Sequence, residues 1–118
     1  MLKTVPELVA EARAQLRCVD TATAMDEIRG NHGTIVDVRE VVEVEHLTAP
    51  HSINVPRGVL EMKIGELIAD EDHPIYLHCA TGGRATLAAE QLTKMGYQNV
   101  AVITCSIDKV REQQELLA

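Results

Sequence analysis

The sequence predicts an α/β fold, in which a mostly parallel sheet is covered by helices on both faces. Short apolar runs alternate along the chain with segments of helical period, which is the order of elements in parallel α/β sheets. The runs read as strands buried on both faces, as strands of parallel sheets are. The 118 residues are 46% hydrophobic, which is enough for one core.

Five segments combine helical spacing of apolar residues with signals for helix ends. Pro6 suits a first turn, Asp20 and Ser106 supply N-cap side chains, and Gly96 suits a C-terminal cap. In chain order the predicted helices cover residues 6–16, 21–29, 59–69, 84–95 and 107–117. We expect the first helix, within residues 1–16, to flank the domain and pack on it. The domain itself then spans residues 17–118.

Apolar, largely β-branched runs between these helices predict the strands. In chain order they are residues 18–19, 34–39, 52–56, 75–77 and 100–103. Pro56 ends the third run, because proline cannot donate to a sheet ladder. Of the remaining segments, residues 30–33 predict a turn, residues 40–50 are acidic and irregular, and residues 70–74 predict a solvated turn.

Residues 79–84, Cys-Ala-Thr-Gly-Gly-Arg, join the fourth strand to the fourth helix. Gly82 and Gly83 permit a tight loop with inward N–H groups, which together with the helix N-terminus form an anion site. Such a site stabilises the thiolate of Cys79 and makes it a nucleophile. Folds of this class also bind ligands at the carboxyl ends of their strands. The competing interpretation is that Cys79 is a small buried hydrophobe at a strand end.

Three charged residues lie at this loop or at another strand end. Arg84 is either an exposed charge in the first helical turn, where a cation opposes the helix dipole, or the partner of a negative group or carbonyl in the loop. Asp37 and Arg39 close the second strand, as an exposed ion pair of little energetic value or as a tie to nearby loops. We expect a structural role for Asp37 and Arg39 in either case.

Composition narrows the classes of partner and cofactor. The net charge of −7 argues against nucleic acid and anionic membrane surfaces. No apolar stretch reaches the length of a signal peptide or a membrane span, so we expect a cytoplasmic protein without a membrane partner. The three cysteines and five histidines follow neither a disulfide pattern nor metal-ligand spacing. We therefore expect no metal.

The order of motifs resembles that of the single-domain rhodaneses, a family of sulfurtransferases, over residues 17–108. The matching motifs are Ile-Val-Asp-Val-Arg-Glu at 35–40, Ile-Asn-Val-Pro-Arg-Gly at 53–58, Cys-Ala-Thr-Gly-Gly-Arg at 79–84 and Gly-Tyr at 96–97. The resemblance implies a three-layer rhodanese-like fold with a five-stranded parallel sheet. It also implies that Cys79 carries a sulfane sulfur as a persulfide. The loop residues implied to hold that persulfide are Ala80, Thr81, Gly82, Gly83 and Arg84.

The same resemblance implies the reaction partners. The donor would be thiosulfate or a persulfide, and the acceptor would be cyanide, a thiol or a sulfur-carrier protein. No cofactor is needed, because the loop N–H groups would hold the terminal sulfur anion as an oxyanion hole holds an oxygen.

The chain departs from the family pattern at several positions. Residues 47–52 read Leu-Thr-Ala-Pro-His-Ser in place of Gly-His-Ile-Pro-Gly-Ala. Cys105 and Ser106 replace two glycines, and Val110 stands near the place of a common tryptophan. Ala80 occupies a position that is often basic in members that use thiosulfate. One charge that would attract thiosulfate is therefore missing.

Two alternative functions remain open at this point. A non-catalytic rhodanese-like binding module usually lacks the cysteine, which this chain keeps. A cysteine phosphatase or arsenate reductase of the same fold has five residues between cysteine and arginine, whereas only residues 80–83 separate Cys79 from Arg84 here.

Cys105 ends the last strand, as Cys79 ends the strand before the loop. In the fold that this chain resembles, these strands are parallel neighbours about 4.8 Å apart, which would place both cysteines at one edge of the sheet. One interpretation is that Cys105 fills a position where glycine also fits. The other is that its thiol attacks the Cys79 persulfide, releases the outer sulfur and forms a Cys79–Cys105 disulfide.

Overall fold

The computed structural model describes residues 1–117 and contains a five-stranded, entirely parallel sheet with helices on both faces. Its strands are β1 (Arg17–Val19), β2 (Thr34–Asp37), β3 (Ile53–Asn54), β4 (Ile75–His78) and β5 (Val100–Ile103). They are arranged in the order β1-β5-β4-β2-β3. The predicted three-layer α/β fold is confirmed, and the sheet is parallel throughout rather than mostly parallel.

In the part of the chain that the structure describes, six α-helices connect or flank the strands. They are α1 (Val5–Arg13), α2 (Thr21–Asn31), α3 (Val41–His46), α4 (Leu60–Leu67), α5 (Gly83–Met95) and α6 (Ile107–Gln114), with 3₁₀ turns at Arg57–Val59 and Glu115–Leu117. The five predicted helices are all present, although α1 ends at Arg13 rather than at residue 16. Within residues 1–117, no helix combines the length and the apolar character needed to cross a membrane.

The strand β4 lies in the middle of the sheet, between β5 and β2. Its Leu77 is opposite Val36 of β2 and Val102 of β5, and all three are completely buried. On one face of the sheet lie α4 and α5, with α1 packed on α5; the other face is covered by α2 and α6. Because parallel strands end at the same edge, the loop after β4 emerges at the centre of that edge.

The prediction of an irregular segment over residues 40–50 was wrong, because Val41–His46 form α3. The helix is only six residues long, none of them is buried, and three of them are valines, whose β-branched side chains have low helix propensity. Its first turn is held instead by the Glu43 side chain, which accepts the Glu40 N–H at 2.8 Å.

The predicted turn over residues 30–33 is shorter than expected, since α2 continues through Asn31. The helix ends where His32 adopts a left-handed backbone conformation, with φ of 57°. The Asn31 side chain then accepts the Gly33 N–H at 2.7 Å and closes the turn.

Candidate active site

Cys79 directly follows β4 and lies in front of the N-terminus of α5. Its side chain is buried, with 1% exposed. The sulfur accepts the Gly82 N–H at 3.1 Å and the Ala85 N–H at 3.4 Å. These donors and the positive end of the α5 dipole stabilise negative charge on the sulfur. The geometry thus places two backbone N–H donors and the N-terminus of a helix around the sulfur.

Gly82 is the residue of the loop whose backbone most requires glycine. Its φ is +98°, and a Cβ at this position would lie 2.8 Å from Arg13 Nη2 and 3.3 Å from the Thr104 carbonyl oxygen. Its own carbonyl accepts two hydrogen bonds from Thr86, from the N–H at 3.0 Å and from the hydroxyl at 2.7 Å. The loop therefore needs glycine at residue 82 for both conformation and space.

The other loop residues have different surroundings. The Ala80 carbonyl accepts the Ile107 N–H at 2.9 Å, which ties the loop to the start of α6. Thr81 is exposed. Gly83 begins α5, and a Cβ there would only touch Val9 at 3.9 Å, so residue 83 does not require glycine as residue 82 does.

The Arg84 side chain binds Glu43 of α3 rather than a group in the loop. Its two terminal nitrogens lie 2.6 and 2.8 Å from the two carboxylate oxygens of Glu43. The hydrogen bond from Arg84 and the Glu40 N–H lower the pKa of Glu43 to about 2. Sequence reasoning considered a partner for Arg84 only within the loop. It missed Glu43 because it also missed α3.

Asp37 and Arg39 form a buried ion pair, not an exposed one. Their side chains are 1% and 3% exposed, and Arg39 Nη2 lies 2.7 Å from the Asp37 carboxylate. Arg39 also donates to the Leu47 carbonyl at 2.8 Å and contacts the Glu43 carbonyl at 3.4 Å. The pair thus ties the end of β2 to the end of α3, and so supports the helix that holds Arg84.

A buried polar chain beside Cys79 was not anticipated from the sequence. His78 is completely buried, and its Nε2 lies 2.7 Å from Ser52 Oγ. The same oxygen accepts a hydrogen bond from the Gln114 side chain at 2.7 Å. Burial lowers the pKa of His78 to about 4, so the imidazole is neutral near pH 7. The polar chain links the end of β4 to α6, opposite the face where Cys79 lies.

Cys105 and Cys79 pack into core clusters on opposite faces of the sheet. The Cys105 sulfur accepts the Thr21 N–H at 3.4 Å, and the residue packs with α2 and α6. Cys79 belongs to the core cluster on the other face, with Leu77 and Val102. All three cysteines are free. The redox role of Cys105 stays a prediction, which disulfide mapping of oxidised wild type and Cys105→Ser would test.

Over residues 1–117, no group of three or more His, Cys, Asp and Glu side chains is placed to hold a metal ion. The group that the loop offers for chemistry is the Cys79 sulfur, at which two backbone N–H donors are directed.

The family model of the rhodanese-like domain matches residues 20–113. A Bacillus subtilis protein, YrkF, provisionally named a sulfur carrier protein, is 32% identical over 97 residues, which are 82% of this chain and 46% of that protein. A Schizosaccharomyces pombe protein, provisionally named a mitochondrial thiosulfate sulfurtransferase, is 32% identical over 65% of this chain and 63% of its own length. This chain thus spans about half to two thirds of these relatives.

A solved structure from Rhodopseudomonas palustris is similar to nearly the whole chain. It superposes with a TM-score of 0.83 at 26% identity, covering 95% of this chain and 92% of its own. That protein is described as of unknown function, with tyrosine phosphatase as a suggested activity. The similarity therefore extends beyond residues 20–113, which the family model matches.

Proposed function

This chain belongs to the rhodanese-like domain family, and from that premise we propose that it is a sulfurtransferase that works through a persulfide on Cys79. The observation that carries the proposal is the pair of N–H groups, from Gly82 and Ala85, directed at the Cys79 sulfur. A residue kept only for packing would not need them. They favour the thiolate before the reaction and the persulfide anion after it.

The proposed cycle has two displacements on sulfur. The Cys79 thiolate attacks the sulfane sulfur of the donor, and the donor's S–S bond breaks. The bonding electrons leave with sulfite when the donor is thiosulfate, or with a thiolate when it is a persulfide. A cyanide or thiolate acceptor then attacks the outer sulfur of the Cys79 persulfide and releases the Cys79 thiolate. The cycle needs no cofactor.

Protein thiols are included among the proposed acceptors. The name of the Bacillus relative supports a sulfur-carrier protein as one of them. A reducing compartment such as the cytoplasm would keep Cys79 available as a thiolate between turnovers.

The surroundings of Arg84 argue against the phosphatase alternative. A phosphatase must bind a tetrahedral oxyanion, but both terminal nitrogens of Arg84 are engaged by Glu43. The loop also has one residue fewer than phosphatases of this fold.

The test is mass spectrometry of the protein after incubation with thiosulfate or a persulfide donor. We expect the Cys79 peptide to gain about 32 Da, the mass of one sulfur, and to lose it on addition of cyanide. Cys79→Ser should show neither the gain nor sulfur transfer, since a serine hydroxyl cannot form a persulfide. Cys18→Ser, at an exposed cysteine of β1, is the matched control and should behave as wild type. A modified and active Cys79→Ser protein, or phosphatase turnover without any persulfide, would refute the proposal.

A further inference from the structure

The last residue of α1 contacts the cysteine loop from outside. Arg13 Nε donates to the Thr86 hydroxyl at 3.0 Å, and Arg13 Nη2 lies 2.8 Å from where a Cβ of residue 82 would be. Arg13 precedes Thr86 by 73 residues and stands before the residues 20–113 that the family model matches. The contact is therefore made by a part of the chain outside that match.

Thr86 connects this contact to the reactive sulfur. Its hydroxyl donates to the Gly82 carbonyl at 2.7 Å, and the Gly82 N–H donates to Cys79 Sγ at 3.1 Å. Two hydrogen bonds thus lead from Arg13 through Thr86 to the Gly82 carbonyl, and the backbone of Gly82 connects that carbonyl to the N–H that donates to Cys79. Because Arg13 donates to the threonine oxygen, the only proton of that hydroxyl is left for Gly82.

Arg13 differs from Arg39 and Arg84 in the kind of partner that it binds. Each of those two arginines forms an ion pair with a carboxylate. No ion pair of Arg13 is found among residues 1–117, and its side chain is partly buried against α5. The hydrogen bond that Arg13 does make goes to the residue that holds Gly82.

We propose that Arg13 is a positioning residue for the reaction of Cys79. Through Thr86 it holds Gly82 in the left-handed conformation, and this conformation directs the Gly82 N–H at the sulfur. The proposal deepens the proposed function and rests on it for the catalytic consequence. The effect on the thiolate itself does not depend on which electrophile reacts.

The first experiment measures the rate at which iodoacetamide alkylates Cys79 as a function of pH, followed on the Cys79 peptide. In Arg13→Ala we expect a higher pH midpoint and a rate near pH 7 that is about three- to tenfold lower, as for a weakened hydrogen bond to a charged group. Arg13→Lys should recover part of the rate, because an ammonium can donate to Thr86. Arg17→Ala removes the same charge from the opposite edge of the sheet and should match wild type.

The second experiment separates positioning from simple charge. Other charged groups near the loop are Arg84 on α5 and Glu40 and Glu43 at the start of α3. If Arg13 acts through Thr86, the double variant Arg13→Ala/Thr86→Val should react no more slowly than Thr86→Val alone. Thr86→Ser keeps the hydroxyl and should restore most of the rate that Thr86→Val loses. Additive losses, or an Arg13→Ala profile identical to wild type, would overturn the proposal.

The experiment remains decisive if a variant does not fold or if Cys79 forms no persulfide. If Arg13→Ala does not fold, Arg13→Met preserves the packing of the aliphatic stem and removes the same hydrogen bond. Alkylation requires no sulfur donor, so it reports on Arg13 even if Cys79 never forms a persulfide. Conversely, persulfide formation in wild type can succeed while the Arg13 variants show no effect.

Discussion

Replacing Glu43 with glutamine removes the carboxylate that pairs with Arg84 and keeps a side chain of the same length. The pKa of Glu43 is about 2, against an ordinary value of 4.5. At about 1.4 kcal/mol per pH unit, this difference corresponds to at most about 3.5 kcal/mol of stability. The two side chains are 34% and 37% exposed. Solvent screening therefore reduces the expected contribution to about 1 kcal/mol.

We expect Glu43→Gln to unfold at pH 7 with a free energy lower than that of wild type by about 1 kcal/mol, measured by guanidinium titration and circular dichroism. The pKa of Glu43 is lower in the folded than in the unfolded protein. Its contribution is thus complete above about pH 4.5 and is lost as the pH falls through about 2. The stabilities of the two proteins should converge over that interval.

The matched control is Glu45→Gln, which removes a carboxylate from an exposed position of the same helix. Its unfolding free energy should stay within about 0.5 kcal/mol of wild type. Equal stability of Glu43→Gln and wild type at pH 7 would show that the ion pair contributes nothing. A difference that is unchanged near pH 2 would show that the contribution is not ionic.

Two further substitutions test the loop and the buried polar chain. Gly82→Ala should lower the unfolding free energy by about 1–3 kcal/mol and slow sulfur transfer, because alanine is strained at this backbone conformation. The control is Gly65→Ala in the exposed part of α4, where a Cβ would meet nothing within 4 Å. This substitution should leave the unfolding free energy unchanged or raise it. Equal effects at both glycines would contradict the argument. Wild type should lose stability as the pH falls from 6.5 to about 4, since the unfolded chain binds a proton that native His78 does not. In His78→Asn the unfolding free energy should depend less on pH over that interval. An unchanged slope would rule out a neutral buried imidazole.

The central strands and the position of the cysteine loop could be predicted because their signals are local. Residues 75–77 and 100–103 are continuous apolar runs, and two glycines and a helix follow Cys79 within a few residues. Parallel strands share a carboxyl edge, which then fixes where the loop lies in the fold. The roles of the loop residues in catalysis are a separate matter and stay predictions.

The supports of the loop could not be predicted, because they come from distant parts of the chain. Glu43 lies 41 residues before Arg84, and Arg13 lies 73 before Thr86. A sequence without aligned homologues gives no sign of either pairing. His78 did offer one signal, a histidine at the end of an apolar strand, where a buried polar residue requires a partner.

The outer strands of the sheet are its shortest ones. β3 has two residues and β1 three, while each inner strand has four. An outer strand leaves a row of backbone groups unpaired, and such a row can recruit a strand from another molecule. Here both rows of unpaired groups are short. Arg17 places a charge on β1. Two residues after β3 the chain reaches Pro56, which has no N–H to donate. The sheet is thereby protected against edge-to-edge aggregation, even though most residues of its inner strands favour β-structure.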